Sequence, residues 1–172
     1  MHEGIEWMTS EDMMIKIITG GQTGVDQAAM DAAIELGLLT GGWCPPGREC
    51  DNGIIPSKYK LRETTARCSP DAPHLPRSMR TKMNVFDANA LLVLRPDSVA
   101  SDPGTDYTIL CAQKLGKPIL ILDPYRTGNI SNIRVWLKEM GFKVLCVAGP
   151  SERTCSGVGS VVYSLMKAVL EP

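Results

Sequence analysis

Four short apolar runs punctuate the chain, at residues 14–18, 90–94, 118–122 and 143–147. They do not alternate with polar residues and are rich in Ile, Leu and Val. That is the pattern of strands buried on both faces of a parallel sheet. Between them, apolar residues recur at helical spacing over about 24–37, 77–88, 104–115, 130–140 and 158–170. Gly37, Gly116 and Gly141 each follow one of these segments, where a left-handed helix cap is expected. The alternation predicts a single α/β domain: a doubly wound, mostly parallel sheet with helices on both faces. A weaker strand is expected near 41–44. Residues 39–76 break the rhythm with six prolines and four glycines, and predict a loop-rich insert.

The first apolar run leads into Ile-Thr-Gly-Gly-Gln-Thr-Gly-Val-Asp-Gln-Ala-Ala-Met-Asp, residues 18–31. Strand, glycine turn and helix bring free backbone N–H groups and a positive helix end toward an anionic ligand. Thr23 and Asp26 have the spacing of a capping box. The turn lacks the dinucleotide glycine spacing, and no P-loop lysine follows. Gly20, Gly21 and Gly24 nonetheless leave the backbone bare, which favours ligand contact through Gly20, Gly21, Gln22, Thr23 and Gly24. Asp26 would repel a phosphate seated on the helix end. It is expected to hold the turn, grip a ligand hydroxyl or help to coordinate a cation.

Two further turns follow strands. Asp102-Pro103-Gly104-Thr105 opens a helix, and Gly149-Pro150-Ser151-Glu152-Arg153 offers a hydroxyl and a guanidinium. Ligands of doubly wound sheets bind outside the carboxyl ends of the strands. Gly104, Thr105, Ser151 and Arg153 therefore join the candidate site. Arg80 and Asn84 lie four apart on one helical face and suit a heterocycle or an oxyanion. In Trp43-Cys44-Pro45-Pro46-Gly47-Arg48, Trp43 is expected to pack under the insert rather than stack on a ligand.

Composition narrows the classes. The 172 residues are 44% hydrophobic and 22% charged, ordinary for a globular protein. No apolar run approaches the roughly 20 residues that span a bilayer, and residues 1–12 lack the pattern of a signal peptide. Residues 1–13 are expected to form a loosely attached tail, residues 14–172 the domain, and the protein to be cytoplasmic with no membrane partner. Six cysteines include no Cys-x-x-Cys pair, and His2 and His74 are the only histidines, so no metal site is expected. Cys111 and Cys146 fall in apolar patterns. Cys44, Cys50 and Cys68 are expected to be free thiols. Residues 48–82 carry eight Lys/Arg against four acids. That local +4, in a chain of net charge −1, fits an anionic ligand or a solvated face. A pI of about 6.1 and the absence of a basic run interleaved with aromatics argue against nucleic acid.

These residues resemble the putative molybdenum cofactor carrier family, a branch of the SLOG superfamily of Rossmann-like proteins. The resemblance covers about 14–170. It is carried by Ile18-Thr-Gly-Gly-Gln-Thr-Gly-Val-Asp-Gln-Ala-Ala29, Gly41-Gly-Trp-Cys-Pro-Pro-Gly-Arg48 and Arg80-Thr-x-x-Asn-Val85, then Gly104-Thr-x-x-Thr108, Leu115-Gly-Lys-Pro118 and Val147-Ala-Gly-Pro-Ser151. It implies a Rossmann-like sheet, a small-ligand pocket at the glycine turns, a homo-oligomer and molybdenum cofactor (molybdopterin) binding. Related phosphoribohydrolases carry Pro-Gly-Gly-x-Gly-Thr-x-x-Glu. Here the stretch runs Pro103-Gly-Thr-Asp-Tyr-Thr-Ile-Leu-Cys111, with one glycine and no glutamate. That departure argues against hydrolysis by their route.

The expected function is a binding or carrier protein for an anionic, phosphate-bearing small molecule, the molybdenum cofactor being the family's candidate. The alternatives are a nucleotide-processing enzyme using Asp26 or Asp106 with Thr23, and a nucleotide-ligand sensor.

Overall fold

The computed structural model describes residues 14–172; the tail expected over 1–13 lies outside the described residues. β1 (Lys16–Ile18), β7 (Ala90–Leu94), β8 (Ile119–Leu122) and β9 (Val144–Ala148) fall where the apolar runs predict them. With β2 (Thr40–Gly41) they form one five-stranded parallel sheet in the order β2-β1-β9-β7-β8. Helices α1 (Val25–Glu35), α2 (Ser78–Asp87), α3 (Pro103–Lys114), α4 (Asn129–Met140) and α5 (Val158–Leu170) match the five periodic segments to within two residues. Gly37, Gly116 and Gly141 have φ of 71°, 63° and 61°, as left-handed caps require.

The two faces of the sheet carry separate cores. On one, Val25, Ala28, Ala29 and Ala32 of α1 lie close to Val158, Val162 and Met166 of α5, over Ile17, Leu92 and Leu145. Alanines on α1 let the helix approach closely. On the other, Val85 of α2 and Tyr107, Cys111 and Ala112 of α3 cover Ile18, Leu91, Val93 and Cys146. β7 is wholly buried. β8 departs from the double burial expected of it: it is a sheet edge, and Ile121 is 46% exposed.

The strand expected near 41–44 is split. Gly42, at φ 124°, turns the chain out of the main sheet, and a Cβ there would lie 2.3 Å from Thr19 O. The following residues are more regular than a loop-rich insert. β3 (Trp43–Cys44) pairs in parallel with β6 (Arg62–Glu63), and β4 (Glu49–Cys50) forms a hairpin with β5 (Gly53–Ile54). Met30, Cys44, Cys50, Ile55 and Tyr59 make a small third core. All six cysteines are free thiols.

Arg48 ties the insert together. It donates from Nε to Ile55 O (3.3 Å), from Nη1 to Leu61 O (3.4 Å), and from Nη2 to Pro56 O (3.1 Å) and Tyr59 O (2.9 Å). One charged donor thus reaches four carbonyls of the segment, two of which, Pro56 and Tyr59, also accept a backbone N–H. Trp43 packs as expected: its indole donates to Asp87 (2.8 Å), and Arg62 stacks 4.2 Å over its ring. Replacing Arg48 with Ala is expected to cost about 2–3 kcal/mol, from several charge-assisted bonds lost together. Limited proteolysis should then cut first within 55–61, and a cut elsewhere, or no loss of melting temperature, would contradict this role.

Candidate functional site

Because the sheet is parallel, the carboxyl ends of β1, β7 and β9 open on one side. The turns that leave them, and the insert, enclose a cavity of about 200 Å³. Gln22 and Asp26 come from the first turn, Asp102, Gly104, Thr105 and Thr108 from the start of α3, and Ser151 and Thr154 from the third turn. Asp51 enters from the insert, and Leu75, Pro76, Arg77, Arg80 and Thr81 from the approach to α2 and its first turns. Of the residues expected from sequence, Gln22, Asp26, Arg80, Gly104, Thr105 and Ser151 line this one cavity.

The glycines of the first turn serve a different end from the one expected. A Cβ on Gly20 would lie 1.9 Å from Arg80 Nη1. One on Gly21 would lie 2.5 Å from Leu61 Cδ1, and one on Gly24 2.6 Å from Pro150 O. The bare backbone is covered by protein: by Arg80, the insert and the third turn. The capping box does not form either. Gly24 is the N-cap, at φ 83°, and the buried Thr23 hydroxyl has no hydrogen-bond partner among the described residues. Asp26 still reaches back, accepting the Gln22 N–H at 3.2 Å.

Asn84 turns away from the cavity. Its amide accepts from Trp43 N (2.8 Å) and donates to Trp43 O (2.9 Å), fastening β3 to α2. Arg153 is exposed and does not line the cavity. Asp106, the alternative carboxylate, pairs with Arg95 (2.6 Å) outside it.

Three ion pairs, made by two arginines, organise the interior. Arg80 Nη1 lies 3.3 Å from Asp26 Oδ2, and both side chains are largely buried. Arg77 Nη1 lies 2.9 Å from Asp51 Oδ1 and Nε 3.3 Å from Glu49 Oε1. Arg77 is the N-cap of α2 and holds the left-handed conformation, φ 64°, that non-glycine residues adopt only at some cost. Gln22 Oε1 accepts from both Thr23 N and Asp51 N (2.9 Å each), joining the first turn to the insert. Burial opposes the Asp51 charge, yet hydrogen bonds from Arg77 and Ser151 hold its carboxyl below the ordinary value. Asp102 accepts the Thr105 hydroxyl at 2.5 Å and has no salt-bridge partner among the described residues.

Sequence reasoning missed Arg77 and Asp51. Arg77 stands three residues before Arg80, which puts both near one helical face. Asp51 has no local signal, because only the folding of the insert brings it to the turn. The basic excess of the insert is likewise internal. Arg67 and Arg77 meet Glu49, Lys82 meets Asp71, Lys58 meets Asp31 and Arg62 meets Asp87. Among the described residues no group of three or more His, Cys, Asp or Glu could hold a metal ion.

Asp26 is pushed up from 3.8 to about 6, chiefly by burial, with Arg80 pulling the other way. The folded state therefore favours its neutral form. That contribution is complete below pH 4 and is lost as pH rises through 6. Asp26→Asn should stabilise the protein at pH 7.5 by about 1–3 kcal/mol, and the gain should vanish near pH 4. Denaturant melts at both pH values measure this. A variant less stable at pH 7.5 would show that the ion pair outweighs burial.

Two of three comparisons place the chain among known proteins. The sequence model of the circularly permutated YpsA SLOG family matches residues 17–170. Comparison with curated proteins gave no match. Among solved structures, the crystal structure of "Putative molybdenum carrier protein" from Syntrophus aciditrophicus SB is 31% identical, with a TM-score of 0.81. The alignment covers 92% of this chain and 96% of that one. A match over the sheet, all five helices and the three turns gives the conclusion: this chain belongs to the circularly permutated YpsA SLOG family.

Proposed function

We propose that this protein binds and carries a phosphate-bearing small molecule, and that the molybdenum cofactor is its ligand. The observation that carries the reading is Arg80. It lines the cavity where the three turns meet, and its buried Nε–H has no partner among the described residues. A buried donor without an acceptor is costly, and a ligand oxyanion would supply one. Arg77 adds a second guanidinium, and Arg–phosphate pairs are short and directional. The solved relative, called a putative molybdenum carrier protein, supports the same reading.

The residues fit the cofactor in kind. Arg77 and Arg80 would hold its phosphate, while Asp51, Asp102, Thr105 and Ser151 would meet the polar edges of its ring system. When bound, the cofactor brings its own sulfur ligands for molybdenum, so the metal travels as cargo and needs no side-chain ligands. The reading includes a homo-oligomer in the cytoplasm. No described helix is long and apolar enough to cross a membrane.

A second reading rests on Asp26. A carboxyl pushed up to about 6 and facing a cavity is suited to general acid–base work. In a nucleotide-processing enzyme Asp26→Asn would abolish turnover and spare binding.

Protein purified from its own host should retain a pterin phosphate and molybdenum, read by native mass spectrometry and metal analysis. Arg80→Ala should lose both. Gly20→Ala should do so too, by displacing the Arg80 guanidinium from its buried contact with Asp26, at a cost in stability. Wild-type protein that keeps neither pterin nor nucleotide, and whose melting temperature moves with neither, would overturn the carrier reading. Product from any member of a nucleotide panel would favour the second.

A further inference from the structure

We propose that Asp102 reads the donor edge of a planar 2-amino-4-oxopyrimidine ring, the edge common to pterin and guanine, while Arg77 and Arg80 hold the anionic end. The inference rests on the carrier reading of the same cavity and narrows its ligand class.

Three observations lead to it. First, the cavity is lined by three carboxylates, Asp26, Asp51 and Asp102, against two guanidiniums. A ligand that was only anionic would meet net repulsion, so the ligand must also bring hydrogen-bond donors. Second, the carboxylates are not equivalent. Asp26 is held by Arg80 and Asp51 by Arg77, whereas among the described residues Asp102 is held only by the Thr105 hydroxyl, on Oδ2. A carboxylate has about four acceptor positions, so Asp102 keeps most of its capacity for a ligand. Third, Leu75, Pro76 and Ala148 give the cavity an apolar wall. A planar ring can lie on such a wall. A sugar diol, the other common donor pair for a carboxylate, has no use for it.

The placement of Asp102 also decides where the anion goes. As N-cap of α3 it sets its own negative charge at the positive end of that helix. A phosphate is therefore turned away from α3 and toward Arg77 and Arg80. Ring and phosphate are thus assigned to different side chains of one cavity, Asp102 for the ring and Arg77 and Arg80 for the phosphate.

Isothermal titration of the full chain tests this with 6-hydroxymethylpterin phosphate, GMP, IMP, AMP and inorganic phosphate. IMP is GMP without the 2-amino group. The pterin phosphate and GMP should bind at least about tenfold tighter than IMP or AMP, the loss expected when one hydrogen bond to a charged acceptor goes unmade. Asp102→Asn should weaken the pterin phosphate and GMP by at least about tenfold and erase their lead over IMP, while leaving inorganic phosphate unchanged. If wild-type protein binds IMP as tightly as GMP, or Asp102→Asn retains the preference, the assignment of Asp102 is wrong and the carrier reading stands. If wild-type protein binds none of the five, both fall. The two rings are separated by which binds tighter.

Discussion

The contact between Arg80 and Asp26 holds the site together. Asp26 is on the first turn of α1 and Arg80 on the first turns of α2, which belong to opposite faces of the sheet. Their ion pair joins these faces above the carboxyl end of β1. It forms only because Gly20 has no side chain, since any Cβ would occupy the place of the guanidinium. Burying both charges is expensive, and the raised Asp26 pKa records part of that expense. What the arrangement secures is position: Arg80 is fixed in the cavity before any ligand arrives, so ordering it is not charged against binding.

The insert completes the same design. Its strands are too short to be stable alone, and its cohesion comes from Arg48 donating to four carbonyls and from a small core around Cys44 and Ile55. Asn84 fastens one end of it to α2, and Gln22 fastens Asp51 to the first turn. The cavity wall is thus built of elements far apart in sequence. Its charges alternate, guanidinium beside carboxylate, which suits a ligand that brings both acceptors and donors.

Local rules explain what the sequence disclosed. The helices could be read to within two residues because period and terminal glycines agree, and β1, β7 and β9 because unbroken runs of Ile, Leu and Val belong to doubly covered strands. β8 has the same composition, but edge or centre is a property of strand order, which composition does not encode. The glycine turn was located correctly, yet its bareness serves Arg80, Leu61 and Pro150. Sequence alone cannot say whether a bare backbone faces a ligand or another part of the chain. Asn84 misled for a similar reason: its amide found a backbone partner 41 residues away. Arg77 carried a readable signal in its spacing from Arg80, whereas Asp51 carried none.

Strand order also explains how a permuted chain can keep such a site. β9, last of the strands in sequence, lies between β1 and β7 in space, so the three turns that line the cavity leave adjacent strands. The site depends on that adjacency and on the parallel direction, not on the order in which the chain visits the strands. Met14 and Ile15 share a groove with Leu170 and Pro172, so the two ends of the described domain lie close together. Joining such ends and opening the chain at an exposed loop leaves the three cores and the cavity intact. Circular permutation is therefore cheap in this fold, provided the new break avoids the Asp26–Arg80 contact and the segments that cover Gly20, Gly21 and Gly24.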